Sequence, residues 1–554
     1  MSAAAPASAS HSPLPGWGLL LAGFVVISAA WFLPANLKSV NPPLLHAAGD
    51  GTPTLGAFGR DLVDLEKIGP AALVLTAARA IDDPRTTALA AAIDTAAARQ
   101  PGIAAWGGWD PFIDPLFNLR ADTSRRASTP VLTFFIPEKS RELLRTYLAN
   151  SGSLGVQALL KLRDLNATGR FAPAAKPGGQ PLDALILLSA LLYQGERLAP
   201  PLQRELRTLA ETAVAKKELG ELEPFFLDLL SLGRRLDWAQ LSELLRRTAS
   251  TKTVGEFAHL ARVAPDQLAL IYTAALFSDS ADRAAGYLIQ FGKAGLDDLR
   301  LGLRHGQGAV KVLLERQVPV TRTTSPALEG AARFALFHPQ VALALKYLGF
   351  VLGAWLVVRG LETVLPRAAE LHLPMAALPR MRCGALAVMF ASLLVVATEP
   401  FLLKAAPPSE YRLRMRIPVL VATAEVSPPE KSQPTTTMDS STLLSVGLFA
   451  SLQVVMYFIC LVKIRDVARS SVPPLVKLKL MENEENLFDG GLYVGIAGTA
   501  TALVLQVMRI IEPNLLAAYA SNLFGIICVA LVKIRHVRAY KRELILEAQA
   551  ESKL

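Results

Sequence analysis

Cysteine and histidine are scarce, three and seven in 554 residues. Cys383, Cys460 and Cys528 all lie within or at the edge of apolar stretches, which leaves residues 36–339 without any cysteine. That long region therefore has no disulfide and must be held by its core alone. The histidines are scattered, and none stands at metal-ligand spacing with cysteine, aspartate or another histidine. No metal and no cofactor is expected. Also missing are the GxSxG nucleophile elbow, the phosphate-binding GxxxxGK(S/T) loop and the HExxH helix. Gly306-Gln307-Gly308 resembles part of a nucleotide fingerprint, but no strand precedes it and the third glycine is absent. No stretch interleaves basic and aromatic residues as nucleic-acid grooves do, so no nucleic-acid partner is expected. These absences exclude the common catalytic classes, and the chain reads as a non-enzyme.

What is abundant is apolar surface. Hydrophobic residues reach 52% and mean hydropathy is +0.35, against 19% charge. They gather in six stretches of about 18 residues or more, the length that crosses a ~30 Å hydrocarbon core as helix. These run from Trp17 to Leu33, Val341 to Val358, Cys383 to Leu403, Leu443 to Val462, Gly491 to Met508 and Leu515 to Val532. A further run, Leu182 to Tyr193, is too short to span and reads as a buried core helix.

Lysine and arginine near the span ends orient them. Lys533, Arg535, Arg538, Lys541 and Arg542 place the C-terminus in the cytoplasm, and Lys463, Arg465, Arg469, Lys477 and Lys479 do the same for the preceding loop. Alternation puts the long segment after the first span outside. Arg412, Arg414 and Arg416 in a predicted outer loop oppose this order. The first span has no basic residue before it, so an uncleaved anchor is favoured over a signal peptide cut after Ser28-Ala29-Ala30. The expectation is a multi-pass protein of an inner (plasma) membrane with both termini cytoplasmic. Its net charge of +10 lies largely in flanks that attract anionic lipid. The resulting plan is an anchor over 1–35, a mixed α/β extracytoplasmic region over 36–182 and an extracytoplasmic helical array over 183–339. A span pair over 340–404, an outer Pro/Arg-rich loop over 405–440 and a three-span region with a basic tail over 441–554 complete it.

The fold class expected is mainly α, a polytopic helical membrane protein whose large extracytoplasmic domain is solenoid-like and carries a few strands. Asp82-Asp83-Pro84 starts a helix that runs to Arg99. Val131 to Ile136, apolar and β-branched between two prolines, reads as a buried strand, and a helix from Glu138 to Ala149 follows. Beyond residue 183, apolar stripes such as Leu241, Leu244, Leu245 and Val254, Phe257, Leu260 mark successive short helices. Gly292 and Gly295 read as C-terminal caps. Trp106, Trp109 and Asp110, in a turn-rich stretch reaching Asp114, are candidates for binding a sugar or peptide; the plainer alternative is that the tryptophans seal a core edge.

Polar residues inside the spans are the other candidates. Lys346 and Glu399 fall at similar depth on antiparallel helices, and an intramembrane charge pair is expected. Gly491, Gly495, Gly498, Ala518 and Gly525 form small-residue stripes for close helix packing in the last two spans. Thr499, Thr501, Ser521 and Asn522 bring hydroxyls and an amide to the same hairpin. The pentapeptide Leu461-Val462-Lys463-Ile464-Arg465 recurs as residues 531–535, each copy marking a helix that leaves the membrane.

These last three spans resemble the MotA/TolQ/ExbB group, channel subunits of ion-driven membrane motors. Gly495-Ile496-Ala497-Gly498-Thr499-Ala500 is similar to that family's Gly-Leu-Leu-Gly-Thr-Val. Ala518, Ser521, Asn522 and Gly525 fall where the family has Ala-Leu-x-Thr-Thr-x-x-Gly-Leu. The resemblance covers residues 440–547, and Ser521-Asn522 replaces the paired threonines. It implies a homo-oligomeric ring, a single-span ExbD/TolR/MotB-like partner, and a proton path lined by Thr499, Ser521 and Asn522; Thr501 is the remaining candidate there. Two other readings stay open. One is a membrane-anchored scaffold whose outer domain captures a protein or cell-wall ligand. The other is an enzyme acting on an envelope substrate.

Overall fold

The computed structural model describes residues 14–123, 127–321, 329–364, 378–399, 401, 409–411, 440–507 and 515–551, and it is mainly helical. The chain divides into two compact units. One comprises Met1–Ser39, Ser325–Ala406 and Val419–Leu554; the other comprises Val40–Thr324 with Pro407–Pro418.

The first unit is built of long helices: α1 (Leu14–Trp31), α2 (Pro339–Val364), α3 (Leu378–Thr398), α4 (Ser440–Arg469), α5 (Gly490–Val507), α6 (Leu515–Ala530) and α7 (Arg538–Glu551). Seven residues of π-helix, Leu531–Val537, join α6 to α7. Among the described residues two helices are long and apolar enough to cross a membrane, Pro339–Val364 and the continuous Tyr519–Ala550. Gly16–Trp31 and Leu386–Thr398 are apolar but shorter. α1 lies along α2, and the closeness comes from glycine. A Cβ on Gly23 would stand 2.8 Å from the Gly353 carbonyl oxygen, and one on Gly353 would stand 2.6 Å from Ile27. Ala30, Phe350, Ala354, Ala387 and Ala391 form the core shared by α1, α2 and α3. A second core, including Cys460, Ile464, Met481, Phe488 and Val532, joins α4 to the short helices Pro474–Asn483 and Glu485–Phe488 and to the π segment.

In the second unit the regions 36–182 and 183–339 both contribute to one body. Glu138–Ala149 is helical with the bounds its sequence suggests; the helix expected from Asp82-Asp83-Pro84 begins only at Thr86, with Arg85 as its N-cap, and Asp83 accepts from the Arg85 amide at 2.8 Å just before it. Leu182–Leu192 is buried along its whole length inside the helix Gln180–Gln194. Three expectations need correcting. Val131–Phe135 is a short helix, not a strand. A run of five or six apolar residues fits a buried helical turn as well as a buried strand. Pairing of strand type among the described residues is limited to the isolated bridges Val40–Val320 and Ala167–Glu218, so the "few strands" are absent there. The array is also not solenoid-like. Pro42–Gly49 packs on Gln307–Arg316, and Ile68–Ala80 packs on Leu268–Phe277, whereas solenoid repeats touch only their neighbours. Leu268–Phe277 is buried from Ala269 to Phe277, and a helix apolar all round needs neighbours on every side.

Gly292 breaks the helix Ala281–His305 in its middle, at φ 58° and ψ −136°, a conformation that disfavours any side chain. Gly295 continues the helix and caps nothing. The break frees the Lys293 amide, which donates to Glu410 Oε2 at 3.1 Å. Ser409 Oγ donates to the Leu288 carbonyl at 3.3 Å and His259 Nε2 to the Tyr411 carbonyl at 3.0 Å. Tyr411 is buried there, at the head of the arginine-bearing segment of the predicted outer loop. The rest of that segment, Arg412, Arg414 and Arg416 included, lies outside the described residues.

Candidate functional site

α5 and α6 meet backbone to backbone. A Cβ on Gly525 would stand 2.5 Å from the Gly491 carbonyl oxygen, and one on Gly495 would stand 2.9 Å from the Ser521 carbonyl oxygen. Gly498 leaves room for the Ser521 hydroxyl. At this distance a short hydroxyl reaches the neighbouring helix. Ser521 Oγ donates to the Gly495 carbonyl at 3.2 Å, and Thr499 Oγ1 donates to the same carbonyl, one turn back on its own helix, at 3.0 Å. Ala518 and Thr501 lie on the same two helices, but their side chains are outside the described residues.

α4 completes the seam through a residue the sequence reading passed over. Gln453 is buried, and its Nε2 donates to the Gly491 carbonyl at 3.0 Å. The Cys528 thiol approaches the Gln453 carbonyl at 3.6 Å. Two buried oxygens, Gln453 Oε1 and Asn522 Oδ1, have no hydrogen-bond partner among the described residues. An unsatisfied buried acceptor costs about 1–3 kcal/mol, so each is a place for a donor or a cation. The seam thus brings hydroxyl, amide and carbonyl groups together from three helices. A lone amide in the run Leu443 to Val462 was the available signal for Gln453.

Lys346 and Glu399 do come together. Their Nζ and Oε1 atoms are 3.7 Å apart, and the side chains are only 2% and 1% exposed. Lys346 Nζ also donates to the Ala35 carbonyl at 2.8 Å and to Asn36 Oδ1 at 2.6 Å. Glu399 accepts from the Tyr347 hydroxyl at 2.5 Å and from the Leu37 amide at 3.1 Å. Two ammonium protons and both carboxylate oxygens are thereby hydrogen-bonded, with the 3.7 Å ion pair between them, an arrangement that offsets much of the cost of burying the pair. The arrangement staples the chain leaving α1 to α2 and to the end of α3. Asn36 and Tyr347 were not foreseen, since nothing local in the sequence points residue 36 at residue 346.

The Trp106–Asp114 stretch does not present its aromatics together. Trp106 is buried and stacks on Phe134 at 4.0 Å between centroids. Asp110 is buried, accepting from Trp238 Nε1 and pairing with Arg197, each at 2.9 Å. Trp109 is 39% exposed, its Nε1 donating to Asp114 at 3.3 Å and its ring under the Arg120 guanidinium. The same stretch encloses Asp237, N-cap of Trp238–Leu245, which accepts from the Gln240 amide at 2.7 Å and from the Ser128 hydroxyl at 2.6 Å. A Cβ at either Gly69 or Gly107 would overlap this carboxylate. Burial pushes the Asp237 carboxyl up to about 7, against the smaller opposing effect of the Ser128 hydrogen bond.

Among the described residues no group of three or more histidine, cysteine or acidic side chains is placed to hold a metal. The resemblance to the MotA/TolQ/ExbB group rests on the residues of the region of α4, α5 and α6 alone: no known protein family, curated protein or solved structure matches the chain.

Proposed function

We propose that this is a polytopic inner-membrane protein whose helices α4, α5 and α6 form an ion-conducting unit of the MotA/TolQ/ExbB kind, with the second unit as its extracytoplasmic helical body. The observation that carries this reading is the polar seam of Gln453, Thr499, Ser521 and Asn522, in which two buried oxygens stand unpartnered. In a seam that served packing alone the large majority of buried acceptors would be matched by a donor.

A further observation supports the topology. Ser409–Tyr411 comes from the segment between α3 and α4, yet it packs in the second unit, most of which lies between α1 and α2. Two segments flanking the α2–α3 pair share one body when those helices cross the bilayer out and back.

Native mass spectrometry of the gently solubilised protein tests the reading first, with a ring-sized homo-oligomer expected and a single-span protein co-purifying. Ser521→Leu, which inserts a bulky side chain into the seam, should abolish proton flux in reconstituted vesicles without preventing insertion. A clean monomer, or undiminished flux in the Ser521→Leu protein, would sink it.

The anchored-scaffold reading is favoured by a different observation. The Lys346–Glu399 network ties the chain leaving α1 to α2 and to the end of α3 through four hydrogen bonds and an ion pair, as a rigid anchor requires and a proton relay does not. On that reading removal of the second unit abolishes function while seam substitutions are silent.

A further inference from the structure

Where α6 gives way to α7 the backbone adopts π geometry over Leu531–Val537. The local sequence does not demand this. Leu461-Val462-Lys463-Ile464-Arg465 repeats residues 531–535 and remains ordinary α-helix within α4. The surroundings must therefore hold the second copy open, and π segments of this kind concentrate at functional sites.

A cleft of about 590 Å3 lies at this segment, within the size range of small-molecule sites. Arg538, Lys541 and Arg542, three and four residues apart on one face of α7, contribute its cations, and Ile545 and Leu546 continue the same face as an apolar strip. Phe488 and Val537 are buried behind them. The acid lining the cleft, Glu485, is already paired with Lys533 at 3.7 Å, and Lys533 also pairs with Asp489 at 2.7 Å. No carboxylate is paired with Arg538, Lys541 or Arg542 among the described residues. Ile545 and Leu546, which adjoin these cations, are 45% and 59% exposed.

We propose that this cleft binds a phosphate ester, its phosphoryl oxygens held by Arg538, Lys541 and Arg542 and its apolar portion laid against Ile545 and Leu546. Two guanidinium forks match phosphate oxygens bidentately, and the ammonium adds a point charge. Phosphate is preferred to carboxylate because its tetrahedral oxygens can be met from several directions, as by cations on successive turns of one helix, whereas a carboxylate's two oxygens lie in one plane. The ester is either an anionic phospholipid headgroup of the adjoining leaflet or a soluble organic phosphate. The inference is independent of the ion-path reading.

The test uses full-length protein in nanodiscs, of phosphatidylcholine alone or with phosphatidylglycerol added, examined by native mass spectrometry. Glycerol 3-phosphate titrated into the phosphatidylcholine discs, followed by calorimetry, forms the second arm. The comparison is between wild type, the triple variant Arg538→Gln/Lys541→Gln/Arg542→Gln, and the Arg535→Gln control, which also carries Arg465→Gln and Arg469→Gln so that three charges are likewise lost, outside the cleft. Retention of phosphatidylglycerol that falls at least about tenfold in the triple variant but not in the control identifies the lipid headgroup. Binding of glycerol 3-phosphate alone, with the same dependence, identifies a soluble ester. Binding of neither, or equal losses in the cleft variant and the control, overturns the proposal. Unchanged melting temperatures show that the variants are folded.

Discussion

Asp237 occupies a space that Gly69 and Gly107 leave for it, buried against Ser128 and the start of its own helix. Its carboxyl titrates near 7 when folded, against an ordinary 3.8. Between those values the folded chain keeps a proton that the unfolded chain has lost, so stability declines as pH rises from about 4 to about 7. The decline from this one group is at most roughly 4 kcal/mol. Thermal unfolding of the solubilised protein at pH 5 and pH 8 should show it, and Asp237→Asn should flatten the difference. An identical pH slope in the variant would show that Asp237 is not the responsible group. Residue-level chemistry of this kind was poorly legible in the sequence. Trp106, Trp109 and Asp110 stood out as a cluster, but whether they face outward depends on Trp238 and Arg197, 87 or more residues away. Lys346 and Glu399 were legible because charge in an apolar run is rare; Ala35, Asn36 and Tyr347 were not, being ordinary residues that matter through the partners they meet.

At the scale of elements, periodicity read well where an apolar stripe ran for three turns or more, as in Glu138–Ala149 and Thr251–Val263. It failed at Val131–Phe135, too short for a period to show. Small-residue stripes were read on α5 and α6, adjacent in sequence, and missed on α1 and α2, which meet only through the fold. The missed pair offers a clean comparison. Gly23 and Gly18 share α1, but a Cβ at Gly23 meets the Gly353 backbone while one at Gly18 meets nothing within 4 Å. Gly23→Leu should therefore lower stability in detergent by about 1–3 kcal/mol or more, and Gly18→Leu should be nearly neutral. Equal melting temperatures for the two variants would mean that α1 does not pack on α2 in this way.

For the molecule as a whole, composition separated apolar helices from a cysteine-free body, and the structure divides the chain into two units. It does not carry the solenoid expectation, because the way Ile68–Ala80 closes on Leu268–Phe277 leaves no repeat in the sequence. Sidedness is open to direct measurement. With the native cysteines replaced, single cysteines at Lys217, Glu410 and Lys541 should react with a membrane-impermeant maleimide in spheroplasts at the first two positions only. Labelling of Lys541→Cys in intact spheroplasts would reverse the proposed orientation, and labelling of only one of the first two would break the shared-body argument. The break at Gly292 also has a mechanical meaning. Tension along the segment between α3 and α4 would be delivered through Glu410 and Ser409 to the midpoint of the helix Ala281–His305, not to its end. A load entering at a hinge bends where the same load entering at a terminus would only unravel, so displacement of α3 or α4 would alter the angle between the two halves of that helix before unfolding either.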